Sequence, residues 1–248
     1  MRIIIPEHNN KVMQMAMKKC KGEEYVLADS LEDGLKMLRD GSGDALIAGI
    51  DITTRDMVLG CKKYLPKTEQ YFSSCFVMKR HRKTYILADA GVCKNPNEEM
   101  LQSIILGAHR VAKKILDVEP KIAMLSFSTH GSGGRDESIT KINNVIETIR
   151  QNHPSIKIDG EMQLDVAIDK KIAQKKNPDS KVAGEANVLI CPDLNSANIL
   201  YKSMERFGGF TAAGPILLGF DAAVSDLSRG STVKDVALTI ETLRKLAK

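Results

Sequence analysis

Apolar positions along the chain fall into two alternating periods. Short apolar runs at Arg2–Ile5, Glu24–Ala28 and Asp44–Ile50 read as strands, the third continuous through Ala45-Leu-Ile-Ala48, as suits a parallel strand buried on both faces. Helical spacing takes over between them. Val12, Met13, Ala16 and Met17 stripe Asn9–Cys20, and Leu31, Leu35 and Leu38 stripe a helix capped by Ser30 with Asp33. Methionines at that spacing are core filling. Thr53-Thr-Arg-Asp56 opens a further helix to about Tyr64. The apolar segments Cys75–Met78 and Thr84–Ala88 flank Lys79-Arg-His-Arg-Lys83 and predict a hairpin with an exposed basic turn. Glu98–Leu116 then carries apolar residues at 101, 104, 105, 108, 111, 112, 115 and 116, the stripe of a long helix packed on a sheet. Four more strands, Lys121–Phe127, Ile156–Asp159, Asn187–Cys191 and Pro215–Gly219, alternate with helices, and a last helix runs from about Thr232 to the end. Regular βα alternation predicts an α/β fold with a largely parallel sheet, the hairpin excepted. Ligands of such sheets sit at the C-terminal ends of strands.

Composition narrows this little. With 248 residues, 43% hydrophobic and 27% charged, the chain is an ordinary globular one, large enough for one big or two modest domains. No apolar run is long enough to span a bilayer, and the opening Met-Arg-Ile-Ile-Ile-Pro is too short for a signal peptide, so no membrane partner is expected. Five cysteines without CxxC spacing point to reduced thiols and a cytoplasmic setting. The net charge of +5 favours an anionic ligand mildly. The basic turn has no interleaved aromatics, so no nucleic-acid partner is expected.

The candidate chemistry lies in loops at strand ends. Ser225-Asp-Leu-Ser-Arg-Gly-Ser-Thr-Val-Lys-Asp235 joins a hydroxyl, a guanidinium and a glycine to a helix start, a combination suited to a phosphate oxyanion. Thr232-x-x-Asp235 also has capping-box spacing, so Asp235 can close a helix end. Ser126-Phe-Ser-Thr-His-Gly-Ser-Gly-Gly134 follows an apolar strand and could cradle an anion, but it is neither a Walker A loop nor a dinucleotide fingerprint. Polar residues crowd two further strand ends, Asp159-Gly-Glu-Met-Gln-Leu-Asp165 and Val182–Asn187 running into Pro192–Asn198, where caps and turns would account for about half of them.

In this order and spacing, these stretches and Gly214-Pro-Ile-Leu217 resemble phosphate acetyltransferase and its phosphate acyltransferase relatives over Ala123–Asp235. The likeness is weaker over Ala48–Pro96, at Ala48-Gly-Ile-Asp-Ile-Thr-Thr-Arg-Asp56 and Ala88-Asp-Ala-Gly-Val92. The resemblance implies two α/β domains with mostly parallel sheets and a cleft between them, three-layer αβα and like isocitrate/isopropylmalate dehydrogenase. Residues 1–70 with 221–248 would form the first domain and 71–220 the second. It further implies a homodimer that moves an acetyl group between CoA and phosphate, with CoA or acetyl-CoA and acyl phosphate as substrates, no bound cofactor and no metal.

The catalytic positions carried over are Asp235 as base for the CoA thiol, Arg229 on the phosphate and Ser228 on the developing oxyanion, where one lost donor costs roughly 3 kcal/mol of barrier. Substrate-binding positions are Arg55, Ser128, Thr129, Gly131, Ser132, Asn187, Asp193 and Asn198. Three departures stand out. The chain is shorter than the family between its opening strand and Ala48. Leu59 occupies an arginine position, with Arg55 one helical turn earlier able to reach the same space or to be a surface residue. His130 and Ser225 replace a lysine and an asparagine. Two alternatives accompany this reading: a phosphate butyryl or branched-chain acyltransferase, and a non-catalytic acyl-CoA-binding paralogue.

Overall fold

The computed structural model describes residues 1–247. Its strands are β1 (Arg2–Ile5), β2 (Glu24–Leu27), β3 (Ala45–Ala48), β4 (Ser73–Arg80), β5 (Lys83–Ala88), β6 (Lys121–Leu125), β7 (Lys157–Met162), β8 (Val188–Ile190), β9 (Thr211–Leu218) and β10 (Ala223–Asp226). The helices are α1 (Lys11–Lys19), α2 (Leu31–Arg39), α3 (Thr54–Tyr64), α4 (Glu98–Ile115), α5 (Glu137–Asn152), α6 (Leu164–Ile168), α7 (Lys170–Lys176), α8 (Leu194–Arg206) and α9 (Val233–Leu246). Short polar side chains start most of them: Asn10, Ser30, Thr53, Asn97, Asp136, Asp169, Asp193 and Thr232 each accept a backbone N–H from the first turn.

All ten strands join one sheet in the order β2-β1-β3-β10-β9-β4-β5-β8-β6-β7. Pairing is parallel except where β9 meets β10 and β4, and within the β4–β5 hairpin. This is the expected mixed α/β architecture with a mostly parallel sheet. The element β10 is an addition. Its four residues pair in parallel with β3, Ala223 opposite Ala45 through Asp226 opposite Ala48.

Burial explains where a cleft opens. On one face a single core runs the width of the sheet, from Ile3 and Ile5 through Val77 and Ile86 to Ile122, covered by α1, α4, α5 and α9. On the other face the core is split. One cluster packs Ile4, Leu46 and Ala48 under Leu35, Met57 and Cys61 of α2 and α3. The second packs Phe76, Leu87 and Leu189 under Val166, Ala197 and Tyr201 of α6 and α8. Between them α3 and α8 leave the middle of the sheet uncovered. All five cysteines are free, and no described helix is long and apolar enough to cross a membrane.

Candidate active site

The register of β3 and β10 sets the site. Ala48 and Asp226 end their strands side by side, and the Leu227 N–H donates to the Ala48 carbonyl at 2.6 Å. Gly49 makes this approach possible. Its φ is +108°, and a Cβ there would meet the Asp226 carboxylate and come within 2.5 Å of the Leu227 nitrogen. The loop that follows is pinned by Glu7, whose carboxylate accepts the N–H groups of Ile50, Asp51 and Ile52 at 3.0, 2.7 and 2.7 Å. It delivers the chain to the Thr53 cap, so that the first turn of α3, with Thr54 and Arg55, points at the end of β10.

The opposite wall is α8, started by Asp193, whose Oδ1 accepts the Ser196 N–H at 2.9 Å. Asn198, Tyr201 and Lys202 follow at three- and four-residue spacing and share one helix face. The Tyr201 ring stacks on Phe76 of β4 at 4.2 Å, and the Lys202 ammonium lies 4.4 Å from that ring's centre. Lys202 Nζ also donates to Ser228 Oγ at 3.3 Å, as does the Gly230 N–H. A third edge is the Ala90–Gly91 turn, shaped by buried Asp89. Its carboxylate accepts from Ser74 Oγ at 2.5 Å and from the N–H groups of Gly91, Val92 and Cys93.

These elements enclose a cavity of about 570 Å³ at the split in the core. It unites three cations, Arg55, Lys202 and Arg229, with the hydroxyls of Thr53, Thr54 and Ser228 and the Asn198 amide, against an apolar side of Ile52, Phe76, Leu194 and Pro215. Guanidinium forks and a helix start suit a phosphoryl group, and the apolar side suits an acyl group. Asp226 is the one carboxyl group among the lining residues. It is 1% exposed, and neither oxygen has a hydrogen-bond partner. Burial pushes it up to about 7, the Thr54 side chain opposing and the Glu7 carboxylate reinforcing the shift.

Of the residues expected from the sequence, Arg55, Asn198, Ser228 and Arg229 meet in this cavity. Arg55 faces it, whereas Leu59 is exposed and does not line it. Asp235 stands one turn into the chain that follows the loop, buried, as the N3 residue of a capping box. Its Oδ1 accepts the Ala212 N–H at 3.0 Å, and its Oδ2 accepts the Thr232 N–H and hydroxyl, both at 2.7 Å. Asp193 caps α8, and neither it nor Asp235 is among the residues that line the cavity.

The remaining five lie outside the cavity lining. Ser128 Oγ and the Gly131 N–H donate to Glu161 Oε1 at 2.7 Å each, the Thr129 N–H donates to Ser132 Oγ, and the Gln163 N–H donates to Thr129 Oγ1. The loop's polar groups are thus used within the loop and on Glu161. Burial pushes the Glu161 carboxyl up, but these donors outweigh it and leave it below its ordinary value. Asn187 sits just before β8, at the end away from Pro192, where its amide bridges the Lys121 N–H and the Glu119 carbonyl.

Sequence reading missed Lys202, Thr54 and Asp226 as site residues. The Asn198-x-x-x-Lys202 spacing was the available signal for the first. Asp226 stood inside a quoted motif without a role.

The family described as "Phosphate acetyl/butaryl transferase" matches residues 2–242. The chain belongs to that family. Among relatives of the phosphate acetyl/butaryl transferases, the phosphate acetyltransferase of Clostridium acetobutylicum is 39% identical over 234 residues, covering 89% of this chain and 70% of the relative. That of Bacillus subtilis is 37% identical over 213 residues, covering 85% and 65%. The crystal structure of a phosphotransacetylase from Streptococcus pyogenes superposes with a TM-score of 0.87 at 28% identity, covering 100% of this chain and 94% of that one.

Proposed function

We propose that this chain is a phosphate acetyltransferase, exchanging acetyl phosphate and CoA with acetyl-CoA and phosphate in the α3–α8 cleft. The observation that carries the reading is the convergence of Arg55, Arg229, Lys202 and Ser228 on one cavity with an apolar side. In the forward direction the guanidinium groups of Arg229 and Arg55 hold the phosphoryl group and offset its charge. The thiolate of CoA attacks the acetyl carbon, and the Ser228 hydroxyl donates to the oxyanion of the tetrahedral intermediate. Asp235 is the base for the thiol, whose ordinary pKa is about 8.5. To act so, its Oδ2 exchanges the Thr232 hydroxyl for the thiol. CoA and acyl phosphate enter as substrates, without a resident cofactor.

We read the cleft as the seam between two lobes, residues 1–70 with 221–248 and residues 71–220, in the manner of isocitrate/isopropylmalate dehydrogenase. The split core on the α3–α8 face supports that division. Purified protein is expected to form thioester from acetyl phosphate and CoA faster than from butyryl phosphate, and to sediment as a homodimer. The butyryl or branched-chain alternative predicts the reverse order of rates. No turnover with acetyl, propionyl or butyryl phosphate would leave only a binding paralogue.

A further inference from the structure

Resting on the transacylase reading, we propose that Asp226 is the proton donor to the departing phosphate, opposite Asp235 at the thiol. Thiol attack on acetyl phosphate liberates one proton at sulfur and requires one at the phosphate oxygen, which is a poor leaving group unprotonated. The two carboxyl groups beside the loop have opposite surroundings. Asp235 accepts hydrogen bonds from three donors. Asp226 is buried, neither of its oxygens meets a donor in hydrogen-bonding geometry, only the Thr54 side chain opposes the effect of burial, and it lines the cavity together with Arg55, Lys202 and Arg229. Burial disfavours the ionised carboxyl by more than the Thr54 side chain offsets, and the group rises to about 7. Two carboxyl groups so differently supplied with donors suit a division of acid and base roles, Asp226 as the acid.

The step balances. The thiol proton passes to Asp235 as sulfur bonds to the acetyl carbon. The intermediate then collapses, the bond between the acetyl carbon and the phosphate oxygen breaks with its electron pair on oxygen, and that oxygen takes the Asp226 proton to give hydrogen phosphate. Solvent carries the proton from Asp235 back to Asp226 before the next cycle. In the reverse direction Asp226 removes the phosphate proton and Asp235 returns one to the thiolate.

The groups facing Asp226 set its titration. Burial and the Glu7 carboxylate disfavour its ionised form and the Thr54 side chain of α3 favours it; Arg55 of α3, Lys202 of α8 and Arg229 of the loop line the same cavity, and the Cys61 thiol is pushed up to about 12. Bound phosphate offsets the cations and strengthens proton retention at Asp226.

The test is Asp226→Asn, assayed for kcat in acetyl-CoA formation across the neutral pH range. Loss of a general acid lowers kcat on the order of 10²–10³-fold. The wild-type decline on the alkaline side of about pH 7 should vanish in the variant. Folding failure is read separately. Folded Asp226 binds a proton that the unfolded chain has lost, so its contribution to stability falls as pH rises toward about 7. The variant escapes that fall, and above pH 7 it melts at a higher temperature than wild type. Wild-type turnover in the variant, or an unchanged alkaline limb, overturns the proposal and leaves the transacylase reading standing. If the wild type itself shows no turnover, the transacylase reading fails. The protonated-carboxyl stretch in infrared difference spectra at pH 6 then decides whether Asp226 holds a proton, and its absence overturns the proposal.

Discussion

Replacing Arg229 by alanine is expected to lower kcat/KM for acetyl phosphate on the order of 10³-fold while leaving the melting temperature unchanged. The cavity holds three cations, of which Lys202 donates to Ser228 as a point charge and Arg229, next to Ser228 in the chain, offers a planar fork. A charge-assisted, two-pronged contact in a partly dry site is strong, and removing such transition-state stabilisation costs about 3–4 kcal/mol of barrier. Stability is unaffected because Arg229 is exposed, and surface substitutions away from caps and ion-pair networks stay within about 0.5 kcal/mol. Arg229→Lys keeps the charge without the planar fork and should recover only part of the rate. Steady-state kinetics of both variants, with thermal melts, checks this. Near-wild-type kcat/KM in Arg229→Ala would move the phosphate site elsewhere.

Asp235→Asn is expected to damage both rate and stability. Each carboxylate oxygen accepts a backbone N–H, from Ala212 on one side and Thr232 on the other. An amide must turn its NH2 toward one of them, setting donor against donor, which costs about 1–3 kcal/mol. In the role of thiol base proposed for it, its loss lowers kcat by a further factor on the order of 10² or more. Thr232→Ala separates the two roles. It removes the hydroxyl half of the capping box at a cost of about 1 kcal/mol, yet spares the carboxylate. Its kcat should remain within a few-fold of wild type. If Thr232→Ala loses as much activity as Asp235→Asn, Asp235 serves the site only by holding the start of α9.

What the sequence made legible was local. The hydrophobic stripe of α4 and the caps Ser30, Thr53 and Thr232 depend on residues three or four apart, and each is readable from the sequence alone. The strand β10 was not, because Ala223–Asp226 is short and runs straight into loop and cap residues. Pairing with β9 on one side and with β3, far away in the chain, on the other makes it a strand. The same distance dependence hid half of the site. Lys202 and Asp226 gain meaning from the α8 wall and the β3–β10 register. Conversely, Ser128 and Ser132 looked like an open anion cradle until Glu161, 33 residues beyond Ser128, occupied it. Asn187 had the right company in sequence but belongs to the far end of its strand.

The most direct measurement is a crystal structure with CoA bound. The account predicts the CoA sulfur inside the α3–α8 cavity, beside Ser228 and Arg229 and within reach of Asp235, with room for phosphate against Arg55. A sulfur placed outside it, for example in the larger basic cavity of about 750 Å³ that Lys19, Lys21, Lys79 and Lys234 line between α9 and the hairpin, would contradict it.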